Sequence, residues 1–136
     1  MPVWTVSTLA TALAFLALDA VWLTMAADRL YRPHLGPLLM DRFAPAPAVA
    51  FYLIYLAGIM FLAVAPAVSS GRLTGALLRG AALGFVAYAT YDLTNQATLK
   101  GWSTTVTLAD LCWGTFVTSA ATTVGYLAAR WMMARG

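Results

Sequence analysis

The 136 residues are 62% hydrophobic and 10% charged, with a formal net charge of +3 and a mean hydropathy of +0.78. A soluble domain carries about 25% charged residues, so this composition excludes an ordinary soluble domain and reads as one integral membrane unit over residues 1–136. The small, scattered charge excludes nucleic acid as a partner, and the single Cys112 excludes an internal disulfide.

Four segments are each long enough to span a bilayer, which takes about 20 apolar residues. They cover roughly residues 3–25, 47–68, 75–99 and 104–129. The fold class expected is therefore all-α, a four-span transmembrane helical bundle running up-down-up-down. The first segment is not read as a cleaved leader. It has no basic start, carries Asp19 within its apolar run, and is too long for that purpose.

The connection at 26–46 holds Pro33, Pro37 and Pro45, which predict a break in regular helix. Its remaining apolar residues, among them Leu38, Leu39, Met40 and Phe43, predict a loop lying along the headgroups. Ser69, Ser70 and Gly71 predict a clean end to the second span. Four spans put both termini on one side of the membrane and connections one and three on the other, called here the loop-1 face. Arg72, Arg79, Arg130 and Arg135 fall on the terminus face, against Arg29, Arg32, Arg42 and Lys100 on the loop-1 face. That tie is tipped towards cytoplasmic termini by the α-amino group of Met1.

Depth says more than charge. Asp19 lies near the end of span one, Asp92 near the end of span three and Asp110 near the start of span four. In an up-down-up-down bundle all three fall towards the loop-1 face, about 8–10 Å below the span ends at 1.5 Å per residue. An Asp at mid-span costs about 2.5–3.5 kcal/mol on insertion scales. Three such groups must therefore be protonated, hydrogen-bonded, paired or wet, and a proton shared between carboxyls is expected.

Helical spacing supports convergence. Gly80, Gly84, Tyr88, Tyr91 or Asp92, and Asn95 share one stripe, while Asp110, Gly114, Thr118, Ala121 and Gly125 form another. Small residues at this spacing let membrane helices approach closely, so spans three and four are predicted to face each other. A second copy at the Gly80/Gly84 seam is the alternative, making a homodimer a possible assembly. An Asp-x-x-Trp pattern occurs twice, at Asp19/Trp22 and Asp110/Trp113. Because spans one and four run in opposite directions, Trp22 is nearer the surface than Asp19 and Trp113 is deeper than Asp110.

The candidate pocket comprises Asp19, Asp92, Asn95 and Asp110, with Gln96 beside them and Trp22, Tyr88, Tyr91, Trp102 and Trp113 as walls. His34 is the single imidazole and could titrate beside an Asp. Lys100 is either a snorkelling anchor or a counter-ion, and Trp4, Trp102 and Trp131 suit an interfacial belt. The carboxylates could suit a hard cation, but no ligand-spacing motif is present and no metal is assigned. No nucleophile elbow, Cys-His pair or phosphate loop appears, and nothing names a cofactor.

Several strings together resemble a family of small bacterial inner-membrane proteins known as domain of unknown function 2177. They are Asp19-x-x-Trp22-Leu23, Tyr31-Arg32-Pro33-His34-Leu35-Gly36 and Phe51-Tyr52-Leu53-Ile54-Tyr55. Above all they include Tyr88-Ala89-Thr90-Tyr91-Asp92-Leu93-Thr94-Asn95, followed by Ala97-Thr98-Leu99-Lys100-Gly101-Trp102 and Asp110-x-x-Trp113-Gly114. A Pro is usual after the Gly-Trp of that pattern, and Ser103 stands here. The resemblance runs almost end to end and implies a four-span bacterial membrane protein without implying an activity.

Three functions fit these residues. The first is a small transporter or ligand-binding protein, coupled to protons or cations through the Asp cluster and taking a small apolar, lipid or cation ligand. The second is a membrane enzyme acting on a lipid or isoprenoid-like substrate, with Asp as acid and base. The third is an accessory subunit whose polar groups only hold helices together.

Overall fold

A computed structural model describes residues 2–136, so Met1, whose amino group tips the charge count, lies outside the described residues. The chain is a bundle of four helical rods. The first, α1, runs Pro2–Ala26, continues through a π-helical turn at Ala27–Tyr31 and a short α-helical stretch at Arg32–Leu35, and ends in a 3-10 turn at Gly36–Leu38. The second, α2, runs Pro45–Ile59, a π-helical turn at Met60–Val64, then Ala65–Ser70. The others are α3 (Leu73–Thr98) and α4 (Thr104–Arg135).

Pro33 does not break the first rod, contrary to the reading of its sequence. Proline lacks an N–H and its ring collides with the carbonyl four residues back. Just before Pro33, the Arg32 N–H reaches back five residues to the Ala27 carbonyl, widening the turn. The same device recurs in α2, where the Ala65 N–H reaches the Met60 carbonyl immediately before Pro66. In both places an i→i−5 bond makes room for the ring, and the helix goes on. Irregular chain is thus confined to 39–44, and Pro45 begins α2 in its first turn, where a missing N–H costs nothing.

The remaining ends follow local chemistry. Gly71 closes α2 in the left-handed region at φ 65°, its N–H meeting the carbonyls of Ala67 and Val68. Ser103 caps α4, its Oγ accepting from the Val106 N–H at 3.3 Å.

Polarity is turned inside out relative to a soluble protein. Leu13, Ile54, Phe61 and Leu78 are among many large apolar side chains on the outer surface, while Ser7, Thr11, Thr118, Thr122 and the three Asp are buried. That is the arrangement lipid requires, because a polar group facing hydrocarbon has no partner. Pro2–Leu38, Pro45–Ser70 and Leu73–Thr98 are apolar enough to cross a membrane on composition alone. The 32-residue α4 is less apolar because its inward positions carry Thr, Ser, Gly and Asp, and it packs against each of the other three helices.

Close approach explains the small residues. A Cβ on Gly84 would run into the Gly114 backbone, and one on Gly80 would meet Ser119 Cα at 2.7 Å. The Gly80/Gly84 seam is therefore filled by α4 of the same chain rather than left for a second copy. The α4 stripe divides its work: Gly114 and Thr118 meet α3, whereas Gly125 lies against Thr11 of α1. Side-chain hydrogen bonds fasten these seams, from Ser7 to the Gly125 carbonyl at 2.7 Å and from Ser119 to the Leu77 carbonyl at 2.9 Å.

The rods are not equally close. The Met60–Ser70 half of α2 packs on α3, but the Pro45–Ile59 half leans towards α1 and parts from α3. A cleft consequently opens between α2 and α3 at the loop-1 end. Gly84→Ala is expected to destabilise the bundle by about 1–3 kcal/mol through forced separation of α3 and α4. Gly58→Ala, in a helix interior where a Cβ meets nothing within 4 Å, should instead stabilise by about 0.5–1 kcal/mol; denaturation of both variants in detergent checks the contrast.

Candidate functional site

The antiparallel directions of α1 and α4 decide which groups meet. Trp113, deeper than Asp110, lies level with Asp19, and its Nε1–H donates to Asp19 Oδ1 at 3.3 Å. Trp22, nearer the surface than Asp19, lies level with Asp110, and a tyrosine bridges the gap. The Trp22 Nε1–H donates to Tyr31 Oη at 2.9 Å, and the Tyr31 hydroxyl donates to Asp110 Oδ1 at 2.5 Å. Trp113 thus donates directly to the Asp of the other Asp-x-x-Trp pair, whereas Trp22 reaches Asp110 only through Tyr31. The two indoles stack with centroids 4.8 Å apart and planes 6° from parallel, a contact worth about 0.5–1.5 kcal/mol beyond its buried area.

Asp19 receives a second donor, the Tyr52 hydroxyl of α2, on Oδ2. Two donors on a buried carboxylate satisfy much of its hydrogen-bonding demand. Asp92 is different. Its side chain is fully buried, and neither carboxyl oxygen meets an N–H or O–H donor among the described residues. Its neighbour is the carboxyl of Asp110, within hydrogen-bonding reach. Two carboxyl groups can bond only if one carries a proton, since both are pure acceptors when ionised. Among the described residues no Lys or Arg pairs with Asp19, Asp92 or Asp110; the ion pair present is the exposed Arg32–Asp28 contact at 2.6 Å.

The carboxyl pair borders the α2/α3 cleft. A cavity of about 260 Å³ there is lined by Phe51 of α2, by Ala87, Tyr88 and Tyr91 of α3, and by Asp110 of α4. Gly114 admits the Tyr88 ring, which a Cβ at that position would strike. Phe51 and Tyr91 flank the mouth at 46% and 60% exposure, so the cavity opens sideways, towards where lipid would lie.

Other candidates stand further off. Asn95, one turn along α3 from Tyr91, does not line the cleft. Trp102 packs edge-on against Tyr91 at 5.8 Å and donates to Thr107 at 3.1 Å. Gln96 donates to Thr104 across the α3–α4 turn, outside the carboxyl network. His34 is exposed, with Nδ1 at 2.7 Å from the Leu30 carbonyl, and Lys100 is exposed too. Neither touches an Asp of the cluster.

Tyr31 and Tyr52, the two hydroxyl donors to Asp, and Phe51 were not singled out as site residues from sequence. The signals available were their places in the Tyr31–Gly36 and Phe51–Tyr55 strings. Tyr31 in particular was assigned to a loop, whereas the π-helical turn keeps it on the rod that carries Trp22.

Removing the Tyr52 hydroxyl should leave Asp19 short of a partner. Tyr52→Phe is expected to cost about 1–3 kcal/mol of stability, and the cost should shrink by about 1 kcal/mol on an Asp19→Asn background. A double-mutant cycle by denaturation in detergent reads this coupling, and strict additivity would contradict the assignment.

No curated protein and no solved structure matches the chain. The family model described as "Predicted membrane protein (DUF2177)" matches residues 4–127. A match over so much of the sequence takes in every residue of the carboxyl network and both strings that supply its hydroxyl donors, and the chain belongs to this family of membrane proteins.

Proposed function

We propose that this protein binds a small amphipathic cation from the bilayer and exchanges it for a proton at the Asp92–Asp110 pair. The observation that carries this reading is Asp92: fully buried, without an N–H or O–H donor among the described residues, and set against a carboxyl that lines a cavity. One proton on two carboxylates leaves a single negative charge. One monovalent cation in its place leaves the same charge, so the cost of burying the pair does not change on exchange. A carboxylate pair with a neutral partner shell favours a cationic head over an anionic one, and the Phe51, Tyr88 and Tyr91 rings suit a cation further. The cavity is below the ~300–1,000 Å³ usual for small-molecule pockets, so it would hold a head group while an apolar tail stayed in lipid.

Such exchange serves a small proton-coupled transporter or a ligand-binding protein. We assign it to the bacterial inner membrane with cytoplasmic termini, an orientation that a reporter fused to Gly136 would reverse if active only outside the cytoplasm. The sideways mouth also favours a second reading, an enzyme acting on a lipid with Asp110 as acid or base. That reading requires an altered lipid profile when the protein is removed from its membrane, and an unchanged profile eliminates it.

Titrating purified protein with dodecyltrimethylammonium in weakly buffered maltoside should release a proton for each cation bound, read by a pH dye. Asp92→Asn should abolish the release and weaken binding by about 30-fold, matching the ~2 kcal/mol or more lost when a buried charge pair loses a partner. Binding without proton release, or no binding at all, overturns the reading.

A further inference from the structure

A second cavity shares with the carboxyl network a single residue, Tyr31. About 930 Å³ in volume, it lies on the loop-1 face beneath residues 39–45, with Leu23, Ala27, Tyr31, Arg32 and Arg42 among its lining. Arg32 and Arg42 are exposed, as is the lining Asp41, so this vestibule has the polarity and room to hold water. It contacts neither Asp92 nor Asp110 among its lining residues. The α2/α3 cleft, for its part, is lined by Asp110 and not by Tyr31. A hydrogen bond from Tyr31 Oη to Asp110 Oδ1 at 2.5 Å joins a residue lining one space to a residue lining the other.

We infer that Tyr31 is a proton-transfer residue, connecting water in the loop-1 vestibule to the Asp92–Asp110 pair while its ring keeps the cleft's ligand from crossing. The inference rests on the proton-holding reading of that pair and adds the route by which its proton comes and goes. The phenol oxygen has two lone pairs. One accepts from Trp22, which fixes the ring, and the other is free to accept from vestibule water. In the inward step, a hydronium ion gives a proton to Tyr31 Oη as the Tyr31 O–H proton passes to an Asp110 carboxylate. The hydronium becomes water, the phenol stays neutral, and the carboxyl pair gains one proton. The outward step is the reverse.

The groups facing Tyr31 suit this passage. From its own rod come Trp22 and Arg32, the latter held by Asp28; from the connecting loop come Asp41 and Arg42; from α3 and α4 come Asp92 and Asp110. Arg32 and Arg42 stand at the water end, with Asp28 and Asp41 beside them, and the inner end holds only Asp92 and Asp110, so no cation among the described residues is placed to lock the pair in its ionised form. A phenol is also the right element for a selective wall. It conducts a proton by exchanging bonds, but offers no opening to an alkylammonium.

The test is the rate at which deuterium reaches the buried carboxyl, followed by infrared spectroscopy of the protein in lipid after transfer to heavy water. The protonated-carboxyl band should be present in the wild type and lost in Asp92→Asn. Tyr31→Phe should keep the band but slow its isotope shift by about 100-fold, the scale of a positioned proton donor. If no band depends on Asp92, the shared proton fails and the proposed function fails with it. If the band is there and Tyr31→Phe exchanges at the wild-type rate, only the Tyr31 route is overturned. Should Tyr31→Phe not fold, Ala27→Cys on a Cys112→Ser background, blocked with a trimethylammonium thiosulfonate, closes the vestibule instead. Slowed exchange then supports the route, and unaltered exchange overturns it.

Discussion

Carboxylates buried among membrane helices without a cation need neutral donors, and the arrangement of this bundle follows from supplying them. Asp19 draws its donors from the Trp113 indole and the Tyr52 phenol, and Asp110 draws its own from the Tyr31 phenol, which the Trp22 indole holds in place; the four side chains sit on three rods. The indole contributions work only because α1 and α4 are antiparallel. The same three-residue spacing puts each Trp at the level of the opposite Asp, and the stacked rings fill the space between. Parallel rods would place the two tryptophans at different levels, taking Trp113 from Asp19 and Trp22 from the phenol that serves Asp110. Topology and hydrogen bonding thus specify each other here, in a medium that supplies no substitute partner.

The cleft has its origin in two proline-adjacent turns. In α1 the widened turn before Pro33 carries the helix far enough for Tyr31 to reach Asp110. In α2 the widened turn before Pro66 joins a half that packs on α3 to a half that leans towards α1. Phe51 then stands apart from Tyr88 and Tyr91, and the space between them is bounded below by Asp110. Helix-breaking residues in membrane rods are tolerated when neighbouring turns re-satisfy the backbone. Here that tolerance separates two helices where an apolar seam would otherwise close.

How much of this was legible in the sequence depends on what each residue's neighbours determine. The four rods were readable because bilayer crossing is a matter of length and apolarity. The pairing of α3 with α4 was readable because Gly80, Gly84 and Gly114 at helical spacing leave few other uses. That Asp19, Asp92 and Asp110 lie towards one end of the bundle follows from counting along antiparallel rods, although Asp19, level with Trp113, sits about one turn deeper than Asp110. Rotation about each rod was not readable, since helices apolar on nearly every side give no sign of which side faces inward. Hence the juxtaposition of Asp92 with Asp110 and the capture of Asp19 by Trp113 required coordinates. The extension of α1 was hidden for another reason. Pro33 looks like a breaker until the i→i−5 bond from Arg32 to Ala27 is seen. With Tyr31 assigned to a loop, its reach to Asp110 had no basis.

The choice of donors bears on what the carboxylates can do. A Lys or Arg beside Asp92 would neutralise it permanently, and breaking such a buried pair is costly. A phenol or indole instead lowers the cost of burial while leaving the charge uncancelled. Asp19, with two such donors, is provided for within the bundle, whereas Asp92 has none among the described residues and, in the function proposed above, shares a proton with Asp110. The asymmetry separates two roles that one cluster of aspartates would otherwise blur. The Asp19 end ties α1, α2 and α4 together. The Asp92–Asp110 end lacks such donors for Asp92 among the described residues, and it is this end that borders the cleft and carries the proposed exchange.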